Sequence, residues 1–300
     1  MKIGILSFRP LDQRASEEEL MLQKAARERG HKARIFRDSR FQMVYSVDDP
    51  WLLYDGKPFP KYDVLITRPS VLTNFASKVT LVKQMEMMGM LLFNRHESIK
   101  KCKNKVDTMQ TLVHYGIPMP KTVAVRRPED LKQAASIVGG FPLIVKDQVG
   151  SFGNGVTIVE SMRALRSSLM WNKPMYILQQ YVKYSKGKDI RIFVINGRVV
   201  GSMMRSAKKG EFRSNLEQGG EGVPVDITEE EAAIAIRSVQ ALDLNYGGVD
   251  IMRSKDGPVV LEVNSNPGFK GFVKATGVDV QGMLIEYAVE YAERHLQELN

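Results

Sequence analysis

GVDIMRSKDGPVVLEVNSNPG, residues 248–268, decides the fold. Val259, Leu261 and Val263 alternate with Val260, Glu262 and Asn264, the period of a half-buried strand, and Pro267-Gly268 breaks the run. Val249 and Ile251 give the preceding segment the same period, so the two read as a hairpin. With Lys255 to Gly257 as its loop, Ser254 faces Pro258, Ile251 faces Leu261, Asp250 faces Glu262 and Val249 faces Val263. That register gathers the apolar residues on one face; a two-residue loop would shift it by one. Like charges directly opposite on a sheet repel. A divalent cation among Asp250, Glu262 and Asn264 is the simplest offset, because three oxygen donors suit Mg²⁺ shared with phosphate. A solvated strand face with one awkward pair is the alternative.

Three other stretches carry groups that suit a nucleotide. In IVKDQVGSFGNGV (144–156) a strand delivers Lys146, and the glycine-rich run leaves backbone N–H groups to cradle phosphate oxygens. It lacks the Gly-Lys-Ser/Thr ending of a Walker loop, and taken alone a glycine-rich hairpin turn is the commoner reading. In ILQQYVKYSKGKDIRIFVI (177–195) a short strand enters a polar connector and then a strand with Asp189 and Arg191 on one face. Backbone there can pair with an adenine edge and a carboxylate can hold ribose; a surface ion pair of Asp189 with Arg191 serves equally well. RSAKKGEFRSNLEQGG (205–220) is either an anion-binding loop or a long solvated one.

The rest of the chain divides in two. Strands at 2–7, 32–37 and 62–69 alternate with a helix from about 17 to 29, with Ser16 and Glu19 in capping-box spacing and Gly30 as its stop. A helix around TLVKQMEMMG and the strand LLFN (91–94) complete a parallel α/β segment. No G-x-G-x-x-G follows the first strand, so a dinucleotide site is not expected. After it come a basic helix over about 98–115, strands at 121–125 and 141–147, and antiparallel hairpins, one turning on Asn196-Gly197 as a type I′ turn.

The 300 residues carry a net charge of +9, which attracts nucleotides, nucleic acid or acidic peptides, or is simply a solvated basic face. No zinc-finger, RNP or basic-zipper pattern accompanies it. Cys102 is the single cysteine, which excludes an intramolecular disulfide and fits a reducing interior. The chain has no membrane-length apolar run and no sorting signal, and a cytoplasmic location is expected. His31, His96, His114 and His295 lie in unrelated contexts and form no catalytic arrangement.

The order of these features, lysine, glycine-rich loop, connector, basic loop, then Asp and Glu-x-Asn on a hairpin, resembles the ATP-grasp superfamily. FRSNLEQGG, GVDIMRSKDGPVVLEVNSNPG, KATGVDVQGMLIEYA and HYGIPMPKTVAV resemble the RimK-type ATP-grasp glutamate ligases, which extend the C-terminus of a ribosomal protein, over essentially the whole chain. The resemblance implies an N-terminal parallel α/β lobe over 1–97, a lid and hinge subdomain over 98–185 and a C-terminal subdomain over 186–300. It implies ATP with two Mg²⁺ ions, Mn²⁺ being usable, and L-glutamate with an acidic peptide or protein C-terminus as acceptor, in a homo-oligomer.

Carried onto this sequence, Lys105 and Lys146 would contact the ATP phosphates, under a loop from Gly150 to Gly155 that includes Ser151 and Gly153. Gln179, Gln180, Tyr181 and Val182 would line adenine, and Asp189 would hold ribose. Arg213, Ser214 and Asn215 would meet nucleotide and substrate. Asp250, Glu262 and Asn264 would be the metal ligands, and Arg205, with Lys146, would stabilise the transferred phosphoryl group. Two positions depart from the family: Gln179-Gln180 stands where Gln-Glu is common, and Lys270 in PGFKG replaces an acidic version. The second leaves the acceptor open. An amino-group carrier protein or a pterin or deazaflavin cofactor would use the same chemistry. A nucleic-acid-binding module and a silent nucleotide-binding scaffold are the rivals of another class.

Overall fold

In the computed structural model, residues 1–47, 51–69, 75–148, 155–169, 174–185, 187–208 and 220–298 are described. β1 (Lys2–Ser7) leads to α1 (Glu17–Glu28), whose capping box of Ser16 and Glu19 forms as the spacing predicts. β2 (Lys32–Arg37) returns parallel to β1. A three-stranded antiparallel flap follows, β3 (Phe41–Val44), β4 (Trp51–Tyr54) and β5 (Lys57–Pro58), which the sequence reading did not foresee. β6 (Val64–Arg68), α2 (Phe75–Met87) and β7 (Leu92–Phe93) complete a parallel sheet of order β2-β1-β6-β7.

The single basic helix expected over about 98–115 is two helices, α3 (His96–Lys103) and α4 (Lys105–His114). Asn104 breaks it: its backbone is extended (φ −97°, ψ 108°) and its side chain accepts from the Val106 N–H as an N-cap. Beyond lie β8 (Thr122–Val125), α5 (Leu131–Ile137), β9 (Leu143–Asp147), β10 (Val156–Val159), α6 (Met162–Ser168) and β11 (Tyr176–Gln180). Their strands form an antiparallel sheet of order β10-β9-β11-β8.

β12 (Lys188–Ile195) and β13 (Arg198–Ser206) turn at Asn196 and Gly197, both at positive φ (48° and 72°), as the Asn-Gly signal requires. β14 (Glu221–Pro224), α7 (Glu229–Ala241), β15 (Tyr246–Ser254), β16 (Gly257–Asn264), α8 (Lys270–Thr276) and α9 (Val280–Glu298) follow. The sheet order is β14-β13-β12-β15-β16.

The β15–β16 register corrects one expectation. The loop holds two residues, since Ser254 pairs with Gly257 and Ile251 with Val260. A bulge at Leu261 then restores the expected partners, so Asp250 still faces Glu262 and Val249 still faces Val263. Val260 and Val263, rather than Leu261, therefore enter the core.

One apolar cluster joins Ile3, Ile5, Leu22 and Ile66 of the parallel lobe to Phe193 and Tyr246 of the five-stranded sheet, to Phe272 of α8 and to Leu284 and Ala288 of α9. Burial of large side chains such as these contributes about 1.5–3 kcal/mol each, which fastens the lobe to the sheet. Asn94 pins the same junction. Its carboxamide donates to the carbonyls of Tyr246 and Ser265 and accepts from the N–H groups of Asn245 and Tyr246. Cys102, Leu112 and Ile117 join a second cluster with Ile192, Ile251 and Val263, so α3 and α4 lie on the five-stranded sheet.

Candidate functional site

Asp250 sits on the central part of β15, 4% exposed, opposite Glu262 on β16 and Arg191 on β12. Its carboxylate accepts from Nε of Arg191, from Nη2 of Arg191 at 2.9 Å and from Nη2 of Arg205 at 2.8 Å. Arg205 also clasps Asp189 with Nε at 2.7 Å and Nη2 at 2.8 Å. Two carboxylates and two guanidiniums thus form one chain of bidentate pairs, the arrangement that best repays desolvation. Burial alone would raise the Asp250 carboxyl, but the adjacent Arg191 and Arg205 hold it below the usual range. Burial works against the charge on Arg205, yet Asp250 and Asp189 raise its pKa. Arg191 reaches Asp250 by crossing Gly248, where a Cβ would lie 3.1 Å from Arg191 Cδ and 2.7 Å from Pro267 Cβ.

Two buried lysines feel Glu262, and a third, Lys105, acts on both of them. Lys146, on β9, is pushed down to about 8 by burial; Glu262 and Asp250 oppose that shift and Lys105 adds to it. Lys103 is also pushed down by burial, and it too feels Glu262 and Lys105. Lys105 opens α4, and its N–H bonds the carbonyl of Gln148 just past β9. The break at Asn104 is what brings Lys103 and Lys105 to one place on successive helices. The sequence reading named Lys105 and Lys146 but missed Lys103; its position two residues before Lys105, across a capping asparagine, was the available signal.

Gly155 has φ +74°, and a Cβ there would lie 2.3 Å from Oδ2 of Asp147, so the loop must close on glycine. Gly150, Ser151 and Gly153, like Arg213, Ser214 and Asn215, lie outside the described residues. Gln179 spends its side chain on Thr122 Oγ1 (2.9 Å), while the Gln180 N–H bonds the carbonyl of Lys121. Both thus brace β11 against β8, while Tyr181 and Val182 lie half-buried just beyond the strand. Ser185 anchors this connector through the carbonyl of Arg253 (2.8 Å). Asp189 and Arg191 do not pair with each other: Asp189 engages Arg205 and Arg191 engages Asp250. A ribose hydroxyl at Asp189 would share its oxygens with that arginine.

The donor set suits Mg²⁺. Asp250 and Glu262 carry hard oxygen donors on facing residues, and Gly248 pairs with Asn264 two positions along the ladder. The buried Nδ2 of Asn264 has no hydrogen-bond partner among the described residues. Exchanging the amide's two ends would present Oδ1 there instead. Because Asp250 already holds two guanidiniums, a cation would share its oxygens with Arg191 and Arg205.

Comparisons with known proteins place the whole chain. The family model for the RimK PreATP-grasp domain matches residues 1–99, and that for the RimK-like ATP-grasp domain matches residues 102–288. A protein of Methanococcoides burtonii named probable alpha-L-glutamate ligase is 40% identical over 290 residues, covering 96% of this chain and 95% of its own. A Coxiella burnetii protein of the same name is 38% identical over 296 residues, covering 98% and 97%. Among solved structures, the ATP-grasp ligase PsnB complexed with a phosphomimetic variant of minimal precursor, Mg and ADP superposes with TM-score 0.75 at 19% identity over 97% of this chain and 98% of that one. D-alanine–D-alanine ligase from Bacillus anthracis, complexed with ATP, gives 0.68 at 19% identity over the full length of both. At such identities the structures speak for the fold, ATP-grasp behind a parallel α/β lobe, and the two family models together span nearly the whole sequence. The chain belongs to the RimK-like ATP-grasp ligases.

Proposed function

We propose that the protein is an ATP-dependent carboxylate–amine ligase that adds L-glutamate to the C-terminal carboxylate of an acidic peptide or protein. The observation that carries this reading is the gathering of Lys103, Lys105 and Lys146, the first and last of which feel Glu262, beside the Arg191–Asp250–Arg205 chain. That places positive groups around one oxygen-rich patch, as phosphoryl transfer needs. The acceptor carboxylate attacks the γ-phosphorus of ATP, the bond to the β-γ bridging oxygen breaks, and ADP and an acyl-phosphate form. The amine of glutamate then attacks the acyl carbon, a proton leaves the nitrogen, and inorganic phosphate departs. The lysines neutralise phosphate oxygens, and Arg205 and Arg191 lie beside the metal-ligand strand where charge develops. Two Mg²⁺ ions, for which Mn²⁺ could substitute, would be held by Asp250, Glu262 and Asn264 and would supply further charge neutralisation. Neither transfer calls for a nucleophilic side chain; both depend on positioning.

Purified protein incubated with ATP, Mg²⁺ and L-glutamate, with and without acidic peptides, tests this by phosphate release and mass spectrometry. ADP formation with a mass gain of one or more glutamyl units is expected. If no combination yields ADP, the ligase assignment fails.

A further inference from the structure

The parallel sheet has its topological switch point between β1 and β6: the chain leaves β1 for β2 on one side and later lays down β6 on the other. In open α/β sheets, ligands bind in the crevice beyond the carboxyl ends of the strands at such a point. Here those ends carry Ser7, Arg37 and Arg68, followed after β1 by the Phe8–Arg14 segment. Gln13 ties this segment into one cluster: its carbonyl accepts from Arg37 Nη2 (2.7 Å) and its side chain from Arg9 Nη2 (2.9 Å). Arg9 Nε bonds the carbonyl of Arg14, Arg37 Nη1 bonds Ser7 Oγ, and Lys78 reaches in from α2 to the carbonyl of Phe8.

Among the described residues, every hydrogen bond that Arg9 and Arg37 donate is to a neutral acceptor. Among the described residues no carboxylate forms an ion pair with Arg9, Arg14 or Arg37. Each guanidinium has five donors, so most remain for a ligand. The neighbouring acids are otherwise engaged: Glu18 holds Arg68 (2.5 Å) and Glu17 holds Lys270. Asp12 is exposed, and Asp38 is pushed up by burial against the pull of Lys78 and Arg37.

The crevice also touches the loop that ends the candidate metal strand. Arg68 Nη1 bonds the carbonyl of Pro267, and Asn266 Nδ2 bonds the carbonyl of Pro69. Pro267 is three residues past Asn264, within about 11 Å along the chain. Strands β2 and β6 flank β1 and so lie roughly 10 Å apart, a span that three or four peptide residues cover. Among the described residues the aromatic rings here are hidden, Phe8 and Phe36 each being 1% exposed, so they offer no stacking platform of the kind a single-stranded nucleic acid uses.

We propose that this crevice, rimmed by Arg9, Arg14 and Arg37 and walled by the Arg68–Glu18 pair, binds the acidic side chains of the acceptor peptide upstream of its reacting carboxylate. The assignment rests on the ligase reading for the identity of the acceptor, while its test does not. The probe is a fluorescein-labelled hexaglutamate peptide, read by anisotropy with AMPPNP and Mg²⁺ present. Charge reversal in Arg9→Glu/Arg14→Glu is expected to weaken binding at least tenfold, and Arg37→Gln several-fold, with AMPPNP affinity within twofold of the parent. Lys132→Glu/Arg166→Glu, which makes the same change in net charge on α5 and α6, should retain peptide affinity. Unchanged hexaglutamate affinity in the first variant, an equal loss in the second, or no binding by the parent overturns the proposal. So does equal or tighter binding of an oligonucleotide of the same charge. Arginine-dependent peptide binding by a protein that never forms ADP supports the crevice and sinks the ligase reading. Ligation with unchanged peptide affinity in Arg9→Glu/Arg14→Glu does the reverse.

Discussion

Asp250 and Glu262 face each other across β15 and β16 only because Leu261 bulges out of register between the turn and the site. The two-residue turn alone would set Asp250 opposite Leu261. The bulge therefore moves one carboxylate by one residue and creates the opposed pair. Bulges are common where a strand must re-aim a side chain, and this one re-aims Glu262.

The opposed pair gives Glu262→Ala an asymmetric outcome. Two like charges across a ladder are mutually destabilising, and relief of that repulsion offsets what the buried Lys103 and Lys146 lose with their counter-charge, so the melting temperature should change little. Turnover should nevertheless disappear, because the proposed cation site loses a carboxylate beside Lys103 and Lys146. Thermal unfolding and phosphate release measure the two effects. Retained turnover in a folded variant would remove Glu262 from the metal set.

Arg205→Ala should behave in the opposite manner. It leaves Asp189 buried without its bidentate partner and Asp250 with one guanidinium instead of two. Breaking a buried pair from one side costs about 3–5 kcal/mol. Urea unfolding should show that loss, and Asp189→Asn in the same chain should recover part of it, because the neutral side chain no longer needs the two charged donors of Arg205. Losses that simply add would mean the two residues do not act as a unit.

Much of this site was legible in the residues, and the failures have physical causes. Alternation and charge single out Asp250, Glu262 and Asn264, and the register does set Asp250 opposite Glu262, although the turn is a residue shorter than expected and a bulge makes up the difference. A bulge has no composition signature here: Val260, Leu261 and Val263 all suit a strand. Asn104 was read as an interior helix residue, yet its short side chain competes for backbone N–H groups and splits the helix. The Asp189–Arg205 pairing was invisible for another reason. It depends on β12 and β13 being neighbours in register, where Asp189 faces Arg205, while the sequence suggested only the same-strand pair. Lobe-to-sheet contacts such as Asn94 with Tyr246 span about 150 residues, a separation no local pattern encodes.

Asn94→Ala tests that junction. The substitution strands the N–H groups of Asn245 and Tyr246 and the carbonyls of Tyr246 and Ser265 in a buried setting. At about 1–3 kcal/mol for each unsatisfied group, a loss of at least about 3 kcal/mol is expected even if some find new partners. Ser265 adjoins Asn264, so Mg²⁺-dependent nucleotide affinity should fall too. Urea unfolding together with nucleotide titration measures both, and a change under about 1 kcal/mol would show that the junction relaxes around the gap.

Lys146 should impose a pH limit on nucleotide binding. Its ammonium is pushed down from 10.5 to about 8 by burial, so in the free protein it sheds its proton as pH rises through about 8. A bound polyanion favours the charged form, so above that pH association must take up a proton. Affinity then falls by up to tenfold per unit. The effect on the unliganded fold has the opposite direction. Between about 8 and 10.5 the unfolded chain holds more protons than the native one, so stability climbs with pH in that window and is lowest below it. Calorimetric titration of AMPPNP at pH 7 and pH 9, in buffers of different ionisation enthalpy, reads the proton uptake directly. Lys146→Arg, which stays charged throughout, should flatten the pH dependence while weakening affinity at pH 7. A pH-independent binding enthalpy in the parent protein would exclude Lys146 from the phosphate site.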